Sequence, residues 1–468
     1  MDENTKHFID RIADMGFTYW QVLPFNPTDS ANSPYCSPSA FAGNYIYINP
    51  QGLKDMGLIS DEEVSKNIYD GTPYTASYEY ALEKRLATLK KAFLNVGEEL
   101  AADIKQFEID NPWLTDYAVF MAVKEQENFK PWWEWSSEHA HYFECIKKIY
   151  DYEESAAFWK FVQYIFYKQW AEIKKYANKK GVAVIGDMPI YVAMDSVDVW
   201  SNLPMFLIDE KTLKAEKVAG VPPDYFSEDG QLWGNPLYDY DAMKADGYGW
   251  WIRRIDGAKK LYDVIRIDHF RGFESYWAVP SDETTAKNGH WKPGPGMDLV
   301  GVLTSWFHDL SFIAEDLGYT TPGVRALLAD SGLPGMKVLQ FAFDAHGESD
   351  FLPHKCTRNS VCYIGTHDND TVKGWLETVS AADRKFAERY MHITPDEGWC
   401  WGMIRAGMST VSDLFVVQMQ DILELPGSAR MNTPGTLGTN WQWRMLPGAD
   451  NKRLAKRLRV YTETFRRL

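Results

Sequence analysis

The chain has 468 residues, 45% of them hydrophobic and 24% charged, a globular composition that excludes a disordered or collagen-like chain. Its 49 Lys and Arg residues against 65 Asp and Glu residues give a formal net charge of −16. Nucleic-acid binding depends on Lys and Arg that neutralise phosphates, so this charge argues against a nucleic-acid partner. A neutral ligand fits better, and some of the 19 tryptophans could offer flat apolar surfaces to a sugar ring.

The cysteine pattern and the absence of long apolar segments indicate the compartment. Five cysteines without a Cys-x-x-Cys pair suggest neither a zinc site nor a disulfide framework. No signal-peptide core and no stretch of about 18 apolar residues is present. Phosphate-binding and metalloprotease motifs are absent as well. We therefore predict a cytoplasmic protein without a membrane partner, a metal or another cofactor.

Seven short apolar runs that end abruptly in polar residues predict β-strands. They are Thr18–Leu23, Val182–Gly186, Val264–Ile267, Phe312–Ala314, Val338–Phe343, Val361–Gly365 and Leu414–Gln418. Segments with helical periodicity separate most of these runs, for example Thr5–Met15, Phe158–Asn178 and Pro322–Ala329. Strands that alternate with helices in this way predict parallel α/β units.

Two long segments interrupt this alternation. Residues 55–152 are rich in Glu, Lys, Leu and aromatic residues and predict a mostly helical insertion. Residues 203–248 are rich in Pro and Gly with little periodicity, which predicts a long irregular loop of the kind that usually carries function. The other segments, 1–54, 153–202 and 249–468, would then form an α/β barrel with large insertions.

Carboxylates follow several of the predicted strands. Asp187 follows the second run, Asp268 the third, Glu315 the fourth and Asp368 the sixth. The active site of an α/β barrel lies at the carboxyl ends of its strands, so these side chains would meet on one rim. Any one of these acids could equally cap a helix or pair with an arginine. Carboxylates from successive strands are better explained by glycosidic chemistry, which needs one protonated and one ionised carboxyl group.

Several longer segments resemble the 4-α-glucanotransferases, the amylomaltase or disproportionating enzyme family of the α-amylase clan. The resemblance covers nearly the whole chain and is carried by RIDHFRGF (266–273), IAEDLG (313–318), GTHDNDT (365–371), QVLPFNPTDSANSPYCSPSAFAGN (21–44), GDMPIYVAMDSVDVW (186–200), GVPPDYFSEDGQLWGNPLY (220–238) and RMNTPGTLGTNWQWR (430–444). It implies a TIM (β/α)8-type barrel and transfer of a 1,4-α-glucan segment to the 4-hydroxyl of an acceptor glucose or glucan.

The resemblance also implies roles for individual residues. Asp268 matches the nucleophile, Glu315 the general acid/base and Asp368 the carboxylate that stabilises the transition state. A retaining double displacement would follow, with the carboxyl groups of Asp268 and Glu315 about 5 to 5.5 Å apart. Arg266 lies two residues before Asp268 on a strand, so both point to one face and could pair. Further substrate-binding residues implied by the resemblance are His367, Tyr35, Asp187, Asp224, Tyr225, Phe226, Gln231, Trp233 and Asn235.

The chain departs from the family pattern at its start. Members of the family usually open with a strand and a glycine-rich turn, whereas this chain opens in the helical segment FIDRIADMGF (8–17). Seven strand candidates are also one fewer than a closed barrel needs. We therefore expect the first barrel strand to be missing. Two alternatives stay open: an α-glucan hydrolase of the same clan, and a truncated, non-catalytic glucan-binding protein.

Overall fold

The computed structural model describes residues 1–223 and 227–468. Within these ranges the strands are β1 (Tyr19–Gln21), β2 (Ala183–Met188), β3 (Ile208–Asp209), β4 (Lys214–Ala215), β5 (Lys217–Val221), β6 (Gln231–Pro236), β7 (Val264–Ile267), β8 (Ser275–Pro280), β9 (His290–Pro293), β10 (Ser311–Ala314), β11 (Gly335–Val338), β12 (Ser360–Tyr363) and β13 (Leu414–Val416).

Helices surround and interrupt these strands. They are α1 (Glu3–Asp14), α2 (Pro50–Asp55), α3 (Asp61–Ser65), α4 (Tyr78–Phe93), α5 (Glu98–Asp110), α6 (Trp113–Gln126), α7 (Ser137–Ala140), α8 (Tyr142–Ile146), α9 (Glu153–Lys179), α10 (Val197–Ser201), α11 (Tyr240–Ala245), α12 (Gly249–Leu261), α13 (Met297–Trp306), α14 (Pro322–Ser331), α15 (Val372–Thr378), α16 (Ala381–Met391), α17 (Trp399–Met408), α18 (Met419–Ile422) and α19 (Lys452–Thr464). None of the helices in the described ranges has the length and apolar character needed to cross a membrane.

Seven parallel strands form the centre of the molecule in chain order. β1, β2, β7 and β10 pair side by side, and β11, β12 and β13 form a second parallel sheet. The sheets adjoin after β10, where the amide of Ala314 donates to the carbonyl of Pro334 (2.9 Å). The amide of Met336 also donates to the Asp316 carboxylate there (2.7 Å). Six of the seven predicted runs therefore coincide with strands, most with ends shifted by one or two residues, and the seventh, Val338–Phe343, shares only Val338 with β11.

Apolar side chains of these strands meet in one inner cluster. The cluster contains Ile185, Val264, Ile313, Met336, Val338, Val361 and Tyr363. Helices cover the other face of the strands, so a central strand such as β7 is buried along its whole length. Burial on both faces explains why the strands appear in the sequence as continuous apolar runs instead of alternating ones.

Two of the differences from the predicted strand boundaries change the interpretation of the sequence. β2 continues through Asp187 to Met188, so this carboxylate lies within the strand and not after it. The predicted strand Val338–Phe343 is wrong over most of its length, because β11 ends at Val338 and a 3₁₀ turn follows over Leu339–Phe341. Leu339 and Gln340 are themselves buried, and an apolar run does not distinguish a buried strand from a buried turn.

Residues 203–248 are more regular than predicted. β5 and β6 join β8 and β9 in a four-stranded antiparallel sheet of order β6-β5-β8-β9, and β3 pairs with β4. β6 contains Gly234, with φ +76°, and ends at Pro236, and the pairing of β5 with β6 shifts register between Val218 and Gly220. These irregularities hid the strands, since Gly and Pro weaken any strand pattern.

Candidate active site

Four of the predicted acidic residues lie at the carboxyl ends of neighbouring parallel strands. Asp187 is the penultimate residue of β2, and Asp268 and Glu315 come directly after β7 and β10. Asp368 follows β12 by a short loop and hydrogen bonds across the rim to residue 432. The backbone that leaves each strand therefore brings these side chains to the same end of the parallel array.

A buried ion-pair network connects β2 and β7 at the rim. Nη1 of Arg266 donates to both carboxylate oxygens of Asp187 (2.6 and 2.7 Å) and to Oδ1 of Asp268 (3.0 Å). Only 3% of the Arg266 side chain is exposed. The expected pairing of Arg266 with Asp268 is present, and Asp187 is the second partner. One guanidinium thus fixes the positions of two carboxylates.

Burial and neighbouring charges separate the pKa values of Asp268 and Glu315. Burial raises the pKa of Asp268 to about 6, while Arg266 opposes the rise and Asp187 and Asp368 add to it. Burial raises the pKa of Glu315 to about 8, with Arg266 again opposing and Asp268 adding to the rise. Between these values Asp268 is ionised and Glu315 carries a proton, which is the division of roles that glycosidic chemistry requires.

Backbone amides hold the carboxyl group of Glu315. The amide of His269 donates to Oε2 and the amide of Leu317 donates to Oε1, both at 2.7 Å. His269 is in the left-handed conformation, with φ +51°, at the turn that follows β7. Burial lowers the pKa of the His269 imidazole to about 3, so this ring is neutral. The sequence placed His269 at a strand end but predicted no role for it, because its contact with Glu315 depends on the folded backbone.

Tyr35 connects the end of β2 to the loop after β12. Its hydroxyl donates to Oδ2 of Asp187 (2.9 Å) and lies 2.9 Å from Nε2 of His367. Because the carboxylate only accepts, Nε2–H of His367 must donate to the tyrosine oxygen. The rings of Tyr35 and His367 stack with centroids 5.3 Å apart, and Trp441 lies against both at 5.7 and 5.9 Å. These rings form an aromatic wall beside the carboxylates, with Trp441 tilted by 39° and 38° from the other two rings.

The segment after α18 holds Asp368 in place. Nδ2 of Asn432 donates to Oδ1 of Asp368 (2.6 Å), and the amide of Asn432 donates to the carbonyl of His367 (3.0 Å). The guanidinium of Arg430 donates to the carbonyl of Asp368. Sequence reasoning quoted this segment but selected neither residue from it. Asn432 and Arg430 nevertheless orient a side chain that is still 43% exposed and can reach a ligand.

Replacing Asn432 by Ala should lower the catalytic rate of this site about 10- to 100-fold, because one hydrogen bond to a charged group contributes about 1.5–3 kcal/mol. Initial rates with maltotriose, a substrate of the class that the resemblance implies, measure the effect. Leu437→Ala is the matched control, since Leu437 lies in the same segment and is 84% exposed. An Asn432→Ala variant as active as this control would contradict a positioning role for Asn432.

β6 lies beside the rim and carries three of the predicted substrate-binding residues. The indole of Trp233 meets the ring of His269 edge-on, with centroids 4.8 Å apart, and its Nε1 donates to the side chain of Gln231 (3.1 Å). Nδ2 of Asn235 instead donates to the backbone of Val192 (2.8 Å). Trp233, hydrogen bonded to Gln231, therefore adjoins the turn after β7 in which the His269 amide holds Glu315. Asn235 instead connects β6 to the segment after β2. The predicted residues Asp224, Tyr225 and Phe226 lie outside the described residues.

In the described part of the chain, no group of three or more His, Cys, Asp or Glu side chains is arranged to hold a metal ion. The acids of the rim instead have Arg266, backbone amides, Tyr35 and Asn432 as partners.

Comparison with known proteins places this chain in a family. The family model described as 4-alpha-glucanotransferase matches residues 1–449. The chain is 42% identical over 464 residues to the 4-alpha-glucanotransferase of Clostridium butyricum, covering 98% of this chain and 95% of that one. It is 40% identical over 486 residues to the 4-alpha-glucanotransferase of Thermus thermophilus, covering 100% and 95%.

A solved structure agrees with these relatives. The amylomaltase from Streptococcus agalactiae, in complex with acarbose, superposes with a TM-score of 0.95 at 39% identity, covering 99% of this chain and 94% of that chain. The fold is accordingly of the TIM-barrel type, as the resemblance implied.

Proposed function

From the premise that the chain belongs to the 4-alpha-glucanotransferase family, we propose that its rim transfers a segment of a 1,4-α-glucan to the 4-hydroxyl of an acceptor glucose or glucan. The protein is thus a glycosyltransferase, and its substrates would be maltooligosaccharides and other 1,4-α-glucans. One observation carries the mechanism: Asp268 and Glu315 follow neighbouring strands and are held by Arg266 and by backbone amides, in surroundings that raise their pKa values unequally, to about 6 and about 8. Near neutral pH one is a base or nucleophile and the other an acid.

In the first step, an oxygen of ionised Asp268 attacks the anomeric carbon and the glycosidic C–O bond breaks. Glu315 gives its proton to the departing glucan oxygen, so a glycosyl ester on Asp268 and a free 4-hydroxyl result. Arg266 orients Asp268 through the 3.0 Å hydrogen bond and leaves one carboxylate oxygen for the attack. The hydrogen-bond donors that hold the two carboxyl groups are in place before the reaction. The protein groups therefore need little rearrangement when the transition state forms.

In the second step, ionised Glu315 removes the proton from the 4-hydroxyl of an acceptor glucan. The acceptor oxygen attacks the anomeric carbon, the ester bond to Asp268 breaks, and the configuration is retained. Asp368 and His367 would hydrogen bond hydroxyl groups of the sugar in the cleavage position, and Tyr35 would lie beside its ring. Asp187 acts mainly through Arg266 and Tyr35, to which it is hydrogen bonded.

Incubation with maltotriose tests the proposed function. Transfer converts it to a ladder of longer maltooligosaccharides plus glucose, with the total number of glycosidic bonds unchanged. Hydrolysis, the alternative reaction of the clan, increases reducing ends and accumulates glucose and maltose. A glucan-binding protein without catalysis leaves maltotriose intact. Product chromatography together with a reducing-end assay distinguishes the three, and Asp268→Asn is the control for contaminating activity.

The pH dependence of kcat/KM should be bell-shaped, with a plateau between about pH 6 and pH 8. Below about 6 Asp268 takes up a proton and ceases to be a nucleophile, and above about 8 Glu315 loses the proton that the leaving group needs. Measurement of kcat/KM for maltotriose from pH 4.5 to 9.5 reports these two groups in the free enzyme. A rate that stays constant up to pH 9.5 would contradict the role of Glu315 as the acid.

We also propose the finer architecture. The barrel is of the eight-stranded type with seven strands among the described residues, a helical insertion over 55–152 and an insertion beside the active site over 203–248. Six helices, α3 to α8, lie within 55–152, and β6 of the second insertion adjoins the rim through Trp233. The cytoplasmic location stays a prediction from the sequence.

A further inference from the structure

Trp441 has an unusual backbone conformation for a residue with a large side chain. Its φ is +67°, in the left-handed region that bulky residues adopt only when their surroundings hold them there. The residue is only 8% exposed, and its ring lies against the rings of Tyr35 and His367 in the aromatic wall of the rim. Backbone strain beside a candidate active site points to a role for the side chain that this backbone positions.

Two hydrogen bonds hold the backbone of Trp441. Its amide donates to the carbonyl of Met431 (2.7 Å), which belongs to the same segment of residues 430–444. We call this segment the rim segment. The carbonyl of Trp441 accepts from the hydroxyl of Tyr78 (2.9 Å), which lies 363 positions earlier, at the start of α4. The second bond therefore connects the helical insertion directly to the residue with the strained backbone.

Backbone hydrogen bonds connect the helical insertion and the rim segment at two further points. The amide of Ala76 donates to the carbonyl of Gln442 (2.7 Å), and the amide of Arg444 donates to the carbonyl of Tyr74 (3.1 Å). The two stretches therefore lie side by side, with an antiparallel bridge between them. Because these bonds belong to the backbone, the loss of a side-chain hydroxyl at position 78 leaves them in place.

The rim segment contacts the loop after β12 at both of its functional residues. The first residues of the segment hold Asp368, and the ring of Trp441 lies 5.9 Å from the ring of His367. His367 in turn donates to the hydroxyl of Tyr35 (2.9 Å). If the Trp441 ring moved, the rings of His367 and Tyr35 would lose a neighbour that restricts their rotation. The two reacting carboxyl groups would keep their own partners.

We propose that Trp441 is a positioning residue of the active site and that Tyr78 of the helical insertion holds it in place. This inference rests on the proposed function, because His367 and Tyr35 are the groups that would meet the sugar at the cleavage position. Without the hydrogen bond to its carbonyl, Trp441 would leave the left-handed region, since a large side chain favours negative φ. The helical insertion would thus influence the catalytic rate without touching the substrate.

Tyr78→Phe tests the proposal, because it removes the hydroxyl and keeps the ring. Tyr80→Phe is the matched control: Tyr80 lies on the same helix, and its hydroxyl donates to the carbonyls of Lys66 and Ile68 (3.1 and 2.7 Å), within the helical insertion itself. Both variants lose hydrogen bonds from a tyrosine to backbone carbonyls. A purely structural contribution should therefore lower their stability to urea to a similar extent and leave kcat unchanged in both.

We expect kcat for maltotriose to fall about fivefold or more in Tyr78→Phe, the factor that corresponds to one ordinary hydrogen bond. In Tyr80→Phe kcat should change by less than about twofold, and KM should change by less than about twofold in both variants. The effect falls on kcat because hydrogen bonds to the sugar in the cleavage position strengthen as the transition state forms.

A spectroscopic measurement follows Trp441 itself and needs no catalysis. In protein labelled with 5-fluorotryptophan, the fluorine resonance of Trp441 is identified by its loss in Trp441→Phe. This resonance should shift or broaden in Tyr78→Phe and stay unchanged in Tyr80→Phe. An unchanged resonance in Tyr78→Phe would overturn the proposal.

The kinetic measurement separates this proposal from the proposed function. An active wild-type chain with equal kcat in the Tyr78→Phe and Tyr80→Phe variants would contradict the positioning role alone. A wild-type chain that leaves maltotriose intact would instead contradict the proposed function, on which the positioning role rests.

Discussion

Replacing Glu315 by Gln should lower the rate of maltotriose disproportionation by about 10²- to 10⁴-fold, which is the usual contribution of a general acid. Gln has no proton to give to the departing glucan oxygen. With maltosyl fluoride as the glycosyl donor, the rate of the first step should fall far less, since fluoride leaves without protonation. Mass spectrometry should then find a glycosyl group on Asp268, because the variant also lacks the base that activates the acceptor.

Asp268→Asn is the matched comparison. This substitution removes the attacking carboxylate oxygen. Neither maltotriose nor maltosyl fluoride should then react, and no glycosyl group should accumulate on the protein. Glu315→Gln also places an amide NH₂ opposite the backbone amide of His269 or Leu317, both of which now donate to the carboxyl group. A urea melt must therefore accompany the kinetics. If a folded Glu315→Gln variant lost equal factors of rate with maltotriose and with maltosyl fluoride, the role of Glu315 as the acid would be contradicted.

Replacing Arg266 by Met should destabilise the protein by about 3–5 kcal/mol, which is the usual cost of leaving buried charges without their partner. Asp187 and Asp268 would both lose the guanidinium that hydrogen bonds them. Without this cation the pKa of Asp268 should rise further above about 6. The acid limb of the pH profile should therefore shift to higher pH. Urea unfolding and the pH dependence of kcat/KM measure the two effects.

The double variant Arg266→Met with Asp187→Asn separates stability from activity. Removing the charge of Asp187 together with that of Arg266 should recover most of the lost stability, because fewer unpaired charges stay buried. Activity should stay low, since Asp268 still lacks its orienting partner. A single variant that loses less than about 1 kcal/mol would show that the network contributes little to the fold.

Much of the rim follows from local sequence patterns. Each central strand is buried on both faces, so it appears as a short apolar run, and the next polar residue marks its carboxyl end. Asp268 and Glu315 were found in this way, directly after β7 and β10. Arg266 was placed beside Asp268 because two residues of separation on a strand put both side chains on one face, and the 3.0 Å hydrogen bond agrees.

Local patterns failed where the backbone is irregular. The residues after Val338 are largely apolar because they form a buried turn, and this apolar run was predicted to be a continuation of the strand. The strands within 203–248 contain Gly and Pro and a register shift, so they were taken for loop. No role was predicted for His269, because its amide meets Glu315 only in the folded turn after β7. Such features depend on packing around the segment and not on its own composition.

The sequence by itself determined the parallel α/β order, the family resemblance and the acidic residues at the strand ends, because these depend on short patterns of apolar and polar residues. The tertiary structure decided which groups face one another. Arg266 and Asp187 are 79 positions apart in the chain, and Asn432 and Asp368 are 64 apart. The pKa values of about 6 and about 8 at Asp268 and Glu315 arise from burial and from charges on other strands. Electrostatic interactions depend on distance and local dielectric, and folding alone sets both.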